Sequence, residues 1–179
     1  MNSDDMNSSL NILSNLEQIK QSLCRLVADL LLKEQLLLAT AESCTGGLIA
    51  GACTDLAGSS QWFDRGFVTY SNAAKTDMLG VDAALIAQFG AVSEQVAASM
   101  AQGAVKHSAA QVSVAVTGVA GPSGGSVEKP VGTVWIGWCV SSETTTELCH
   151  FEGDRAMVRA LTVQRALQGL IERLQSVKS

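Results

Sequence analysis

The spacing of apolar residues divides the chain into alternating helical and extended stretches. Met1 to Ser8 is polar and reads as a loose, disordered tail ahead of one folded domain expected over residues 9–177. Leu10 to Leu32 repeats apolar residues at helical intervals, through Ile12, Leu16, Ile19, Leu23, Val27 and Leu30. Gln35 to Thr40 is a short apolar run suited to a buried strand. It stops at AESCTGG, Ala41 to Gly47, after which Leu48 to Leu56 resumes a helical pattern. Strand, Gly-containing turn, helix is the order in which α/β proteins place functional turns, at the C-terminal end of a strand.

The alternation continues. Phe63 to Tyr70 predicts a strand and Ala73 to Leu79 a helix. Ser93 is a good N-cap for a further helix whose apolar face is Ala97, Met100, Ala101, Ala104 and Val105. Val112 to Val116 is a β-branched run, hence a central strand. It opens into TGVAGPSGGS, Thr117 to Ser126, too rich in glycine for regular structure. Val131 to Val140 and Thr144 to Phe151 read as consecutive strands, a hairpin turning at Ser141, Ser142 and Glu143. From Asp154 a last helix runs to about Val177, with its stripe at Ala160, Val163, Leu167, Leu170 and Leu174. The pattern is that of a single α/β layered domain with N- and C-terminal helices packing on the sheet. Strand order is not set by it.

Composition narrows the classes. With 179 residues, 47% hydrophobic and 16% charged, the chain suits one globular core. A net charge of −5 and no dense Lys/Arg run exclude a nucleic-acid backbone as partner. No apolar run reaches the roughly 18 residues that span a bilayer, and the acidic N-terminus is the reverse of a secretion signal. A cytoplasmic protein is expected, without a membrane partner. The cysteines (Cys24, Cys44, Cys53, Cys139, Cys149) form no CxxC pair and read as reduced core thiols. His107 and His150 stand alone, so neither a metal nor another cofactor is expected.

Three polar stretches each follow a predicted strand, and strand-end loops on one edge of such a sheet converge on ligands. The first sets Ser43, Cys44 and Thr45 at a helix start, where unpaired amides can hold an oxyanion. Ser43 reads equally as the helix N-cap, and Cys44 competes with it as nucleophile, since a helix start also lowers a thiol pKa. The second, Tyr70 to Lys75, supplies a phenol and an amine. A lysine acts as base only when burial or a neighbouring cation keeps it neutral; otherwise Lys75 is a solvated surface charge. In the third, the glycines of Thr117 to Ser126 can cradle a phosphate with backbone amides, although the run matches neither GxxxxGK[ST] nor GxGxxG. Arg155 can pair with a phosphate, or with a surface carboxylate.

Taken together, AESCTGG (Ala41 to Gly47), GSSQWFDRGFVTYSNAAK (Gly58 to Lys75), GAVSE (Gly90 to Glu94), TGVAGPSGG (Thr117 to Gly125), EKPVGTVW (Glu128 to Trp135) and FEGDR (Phe151 to Arg155) resemble the CinA C-terminal domain family, the nicotinamide-mononucleotide deamidases. The resemblance runs from about Leu36 to Leu174. It implies a three-layer α/β/α sandwich and hydrolysis of nicotinamide mononucleotide to the nicotinic acid form and ammonia, without a metal. By position it makes Ser43 the nucleophile and Lys75 its base, with Tyr70 assisting. Cys44, Thr45 and Gly46 would frame the oxyanion, and Thr117, Gly118, Gly121, Gly124 and Arg155 would hold ribose and phosphate. Ala73 departs from the family, where an acidic residue is common. Two further readings stay open: a catalytically inactive nucleotide-binding partner in competence or damage-related assemblies, and an amidase for another small nucleotide-like amide. A homo-oligomer, with a dimer favoured, is expected.

Overall fold

The computed structural model describes the backbone of residues 3–176 and the side chains of residues 14–176. Helix α1 (Ser3–Glu34) is followed by β1 (Leu38–Glu42), α2 (Leu48–Thr54), a 3-10 turn (Ser59–Gln61) and β2 (Phe63–Val68). Then come α3 (Asn72–Leu79), α4 (Ala83–Phe89), α5 (Glu94–Lys106) and β3 (Val112–Gly118). The hairpin of β4 (Thr133–Val140) and β5 (Glu143–His150) precedes α6 (Arg155–Ser176). The sheet order is β2-β1-β3-β4-β5. β1 runs parallel to both β2 and β3, while β3–β4 and β4–β5 are antiparallel.

That topology gathers the three polar stretches. β1, β2 and β3 point the same way, so the turns leaving their C-terminal ends share one edge of the sheet. Register aligns them: Glu42 of β1 pairs with Val68 of β2 and with Val116 of β3.

Each face carries its own apolar layer. Cys24, Val27 and Leu31 of α1, Ile49 and Cys53 of α2, and Val163, Leu167 and Leu170 of α6 pack on Val114, Val116, Ile136 and Trp138. Opposite, Leu79, Ile86, Val96, Met100 and Ala104 pack on Ala39, Ala41 and Ala115. These two covered faces are the expected α/β/α sandwich. The small residues on the second face let helix backbone approach the sheet: a Cβ on Gly137 would lie 2.6 Å from the Ala97 carbonyl. On the first face Trp138 occupies the space that a side chain at Gly169 would need. Its Nε1 donates to the Ala166 carbonyl at 2.9 Å, and the Arg173 guanidinium stacks 3.7 Å from its ring.

Several boundaries differ from the periodicity. α1 is helical from Ser3, through most of the stretch expected to be a loose tail. Met1, Asn2 and Val177 lie outside the described residues. Gln35 is not in a strand: its φ of 55° ends α1, and β1 starts three residues later and runs to Glu42. α4 was not expected at all. It is a seven-residue helix capped by the Asp82 side chain, which accepts from the Ala84 amide at 2.8 Å. The hairpin turns on two residues, Ser141 and Ser142, with φ of 52° and 69°.

Candidate active site

Ser43 leaves the end of β1 with its amide donated to the Val116 carbonyl at 3.0 Å, which ties the turn to the central strand. Helix α2 begins only at Leu48, behind Gly47 at φ 100°, and no side chain of that N-cap residue closes it. Ser43 is therefore not the helix cap. Glu42 does that work from inside the core. Its fully buried carboxylate accepts from the Thr45 hydroxyl (2.6 Å) and from the amides of Gly47 (3.0 Å), Ile49 (3.0 Å) and Ala50 (2.8 Å). Four donors converge on it, and it donates to none. An acid at a helix start also matches the helix dipole.

With α2 capped from within, the Ser43 hydroxyl meets Lys75 instead. Lys75 lies in α3, whose N-cap Ser71 accepts from the Ala74 amide, and it is only 1% exposed. Its Nζ donates to the Ser43 Oγ at 3.1 Å and to the Thr69 carbonyl at 3.0 Å. Burial pulls the amine below the ordinary lysine range, against a smaller opposing effect of Cys44. The solvated-lysine alternative fails on this burial. Cys44 is buried beside the pair, and that burial pushes its thiol up to about 11. A thiol so held is protonated at neutral pH, the opposite of an activated nucleophile.

Of the amides expected to frame an oxyanion, that of Gly46 is already donated to the Ser43 carbonyl at 3.1 Å. Among the described residues the amides of Cys44 and Thr45 have no backbone acceptor; the Cys44 N–H faces its own thiol, and that of Thr45 is open beside Ser43. Arg159 steadies this turn from α6, its Nη2 donating to the Thr45 carbonyl at 2.8 Å.

Ser43 and Cys44 line an open cleft of about 370 Å³ with Tyr70, Val92, Gly118–Gly121, Ser123, Gly124 and Arg155. The volume suits a small ligand. Arg155 spans the mouth: Nη1 donates to the Gly121 carbonyl at 2.8 Å and Nη2 to the Tyr70 hydroxyl at 2.9 Å. Tyr70, expected beside the Ser–Lys pair, thus bonds to Arg155, and no hydrogen bond joins it to Ser43 or Lys75 among the described residues. Amides of Ala120, Gly121, Ser123 and Gly124 carry no backbone acceptor there, so the loop presents free donors. Thr117 does not line the cleft. It is 1% exposed and donates its hydroxyl to the Ala91 carbonyl at 2.7 Å.

Glu42 and Arg159 were missed by the sequence reading. Two signals point to them: Glu42 is the sole acid just ahead of the glycines, and Arg159 falls one helical turn after Arg155, on the same face of α6. Among the described residues no three His, Cys, Asp or Glu side chains converge as metal ligands, and no helix is long and apolar enough to cross a membrane.

Over 137 residues the chain is 56% identical to the nicotinamide-nucleotide amidohydrolase PncC of Enterobacter agglomerans, covering 74% of this chain and 84% of that one. It is 51% identical to a CinA-like protein of Akkermansia muciniphila over 84% of this chain, but spans only 37% of that longer protein. The solved competence/damage inducible protein CihA from Agrobacterium tumefaciens superposes with a TM-score of 0.84 at 48% identity, over 88% of this chain and 96% of that one. Since the CinA C-terminal domain model matches residues 20–174, the chain belongs to the CinA C-terminal domain family.

Proposed function

We propose that the chain is a nicotinamide-nucleotide amidohydrolase that converts nicotinamide mononucleotide and water to nicotinic acid mononucleotide and ammonia. The observation that carries the reading is the buried Lys75 amine 3.1 Å from the Ser43 hydroxyl, at the edge of a cleft that also holds Arg155 and a glycine loop with free amides. The names of the curated relatives supply the substrate.

The chemistry runs in two halves. Lys75, whose amine burial pulls below the ordinary lysine range, takes the Ser43 proton in its neutral form as Oγ bonds to the carboxamide carbon. The Thr45 amide stabilises the oxyanion, a donor worth about 3 kcal/mol in comparable sites. The tetrahedral centre collapses with cleavage of the C–N bond, and the proton held by Lys75 leaves with ammonia. Water, losing a proton to the same amine, then attacks the Ser43 ester, and that proton passes to the departing Ser43 Oγ as the acid is released. The phosphate rests on the glycine-loop amides and on Arg155, whose remaining N–H groups face it once the bond to Tyr70 opens. Supplying purified protein with nicotinamide mononucleotide and measuring both products tests this: ammonia and nicotinic acid mononucleotide should appear in equal amounts. Binding with no product would favour a nucleotide-binding module, and turnover of other amides alone would reassign the substrate.

A further inference from the structure

The connection from α4 to α5 is held more firmly than a four-residue link requires. Three successive carbonyls, from the last residue of α4 into the link, each accept a side-chain hydrogen bond. Lys129 Nζ, at the end of the glycine loop, donates to Phe89 O at 3.0 Å; the α5 cap Ser93 donates to Gly90 O at 2.8 Å; Thr117, in β3, donates to Ala91 O at 2.7 Å. Two of these anchors come from the elements that border the cleft. The next residue, Val92, lines the cleft that contains Ser43. Together with Val119 and Ala120 it provides an apolar stretch of wall in an otherwise polar pocket.

We propose that Val92 is a specificity-determining residue, the wall against which the flat face of a heteroaromatic carboxamide lies, and that Thr117 is a positioning residue acting through it. The inference rests on the hydrolytic reading above and extends it to how the amide is oriented. A planar ring against a branched aliphatic side chain buries apolar surface on one side while its carboxamide reaches Ser43. An aliphatic amide gains less from the same wall. In a hydrophobic pocket, one or two missing methyl groups change discrimination by about ten-fold or more. The Thr117 hydroxyl, bonded to Ala91 O, sets how far Val92 stands from the nucleophile.

The test compares the parent with Val92→Ala, Thr117→Val, Thr117→Ser and the double variant Val92→Ala/Thr117→Val on nicotinamide mononucleotide. Val92→Ala should raise KM about ten-fold with kcat within about two-fold. Thr117→Val should match it, Thr117→Ser should restore the parent value, and the double variant should be no worse than either single one, since coupled residues are non-additive. An unchanged KM in Val92→Ala, or effects that multiply in the double variant, would overturn the proposal while leaving hydrolysis intact. Calorimetric titration of nicotinamide mononucleotide into Ser43→Ala protein, with and without Val92→Ala, reads the wall separately from turnover. If the parent is inactive the hydrolytic reading falls by itself; about ten-fold weaker binding with Val92→Ala keeps the wall, and equal or absent binding in both removes it.

Discussion

Lys75 donates a hydrogen bond to Ser43 across 3.1 Å, and no carboxylate among the described residues pairs with its amine. An ion-paired lysine would hold its proton. One surrounded by a carbonyl, a hydroxyl and a protonated thiol gives it up more readily. The pH profile should follow. Activity requires the neutral amine, so kcat/KM rises with pH and levels off above the lowered Lys75 value, below the ordinary lysine value of 10.5. A rate profile from pH 5 to 10 checks this, and a limb sitting at the ordinary lysine position would speak against Lys75 as base.

The same burial makes a stability prediction with a definite sign. Between the lowered folded-state value and the ordinary 10.5, the unfolded chain binds a proton that the folded chain does not, so stability rises with pH across that window. At and below the lowered value the cost of the buried charge is fully present. Lys75→Met removes it. The variant should be inactive yet more stable than the parent at pH 6, with the gap narrowing as pH approaches 10. Urea denaturation at several pH values measures both trends.

Glu42 holds the nucleophile turn together by four hydrogen bonds from one buried group. Glu42→Ala leaves three backbone amides and a hydroxyl without an acceptor, each unsatisfied buried donor costing about 1–3 kcal/mol before relaxation. We expect a net loss on the order of 3 kcal/mol by denaturant unfolding. Thr45→Ala, which removes only one of the donors, should cost about 1 kcal/mol.

Gly169 gives a test of packing away from the site. In an exposed helix, Gly→Ala stabilises by about 1 kcal/mol. Here a Cβ would collide with the Trp138 ring, which is fully buried and hydrogen-bonded to Ala166. Gly169→Ala should therefore destabilise, by about 1–3 kcal/mol, measurable as a fall in the urea midpoint.

Long elements and the site loops were legible because their signals are local. The apolar stripe of α6, the β-branched run of β3 and the Ser93 cap of α5 each announce themselves within a few residues. Helix α4 has only seven residues, too few for a periodic stripe, and its evidence lay in Asp82 and Gly90 at its ends. The pairing of Ser43 with Lys75 followed from the family resemblance, and spacing alone left it undecided between cap, surface charge and catalysis. What the sequence could not convey was where hydroxyls and amides point. Thr117 turned from the cleft to the Ala91 carbonyl, the Gly46 amide closed on the turn itself, and Tyr70 joined Arg155. Each of those outcomes depends on partners 20 or more residues away or on the local path of the backbone, and neither is written in a motif.

The central claim is that Ser43, and not the adjacent Cys44, attacks the amide with Lys75 as its base. Turnover of nicotinamide mononucleotide by Ser43→Ala, Lys75→Ala and Cys44→Ala proteins beside the parent tests it most directly. The account predicts that Ser43→Ala and Lys75→Ala each lose at least about 1,000-fold in kcat, with the double variant little worse, while Cys44→Ala stays within about ten-fold of the parent. Near-normal turnover in Ser43→Ala with loss in Cys44→Ala would contradict it.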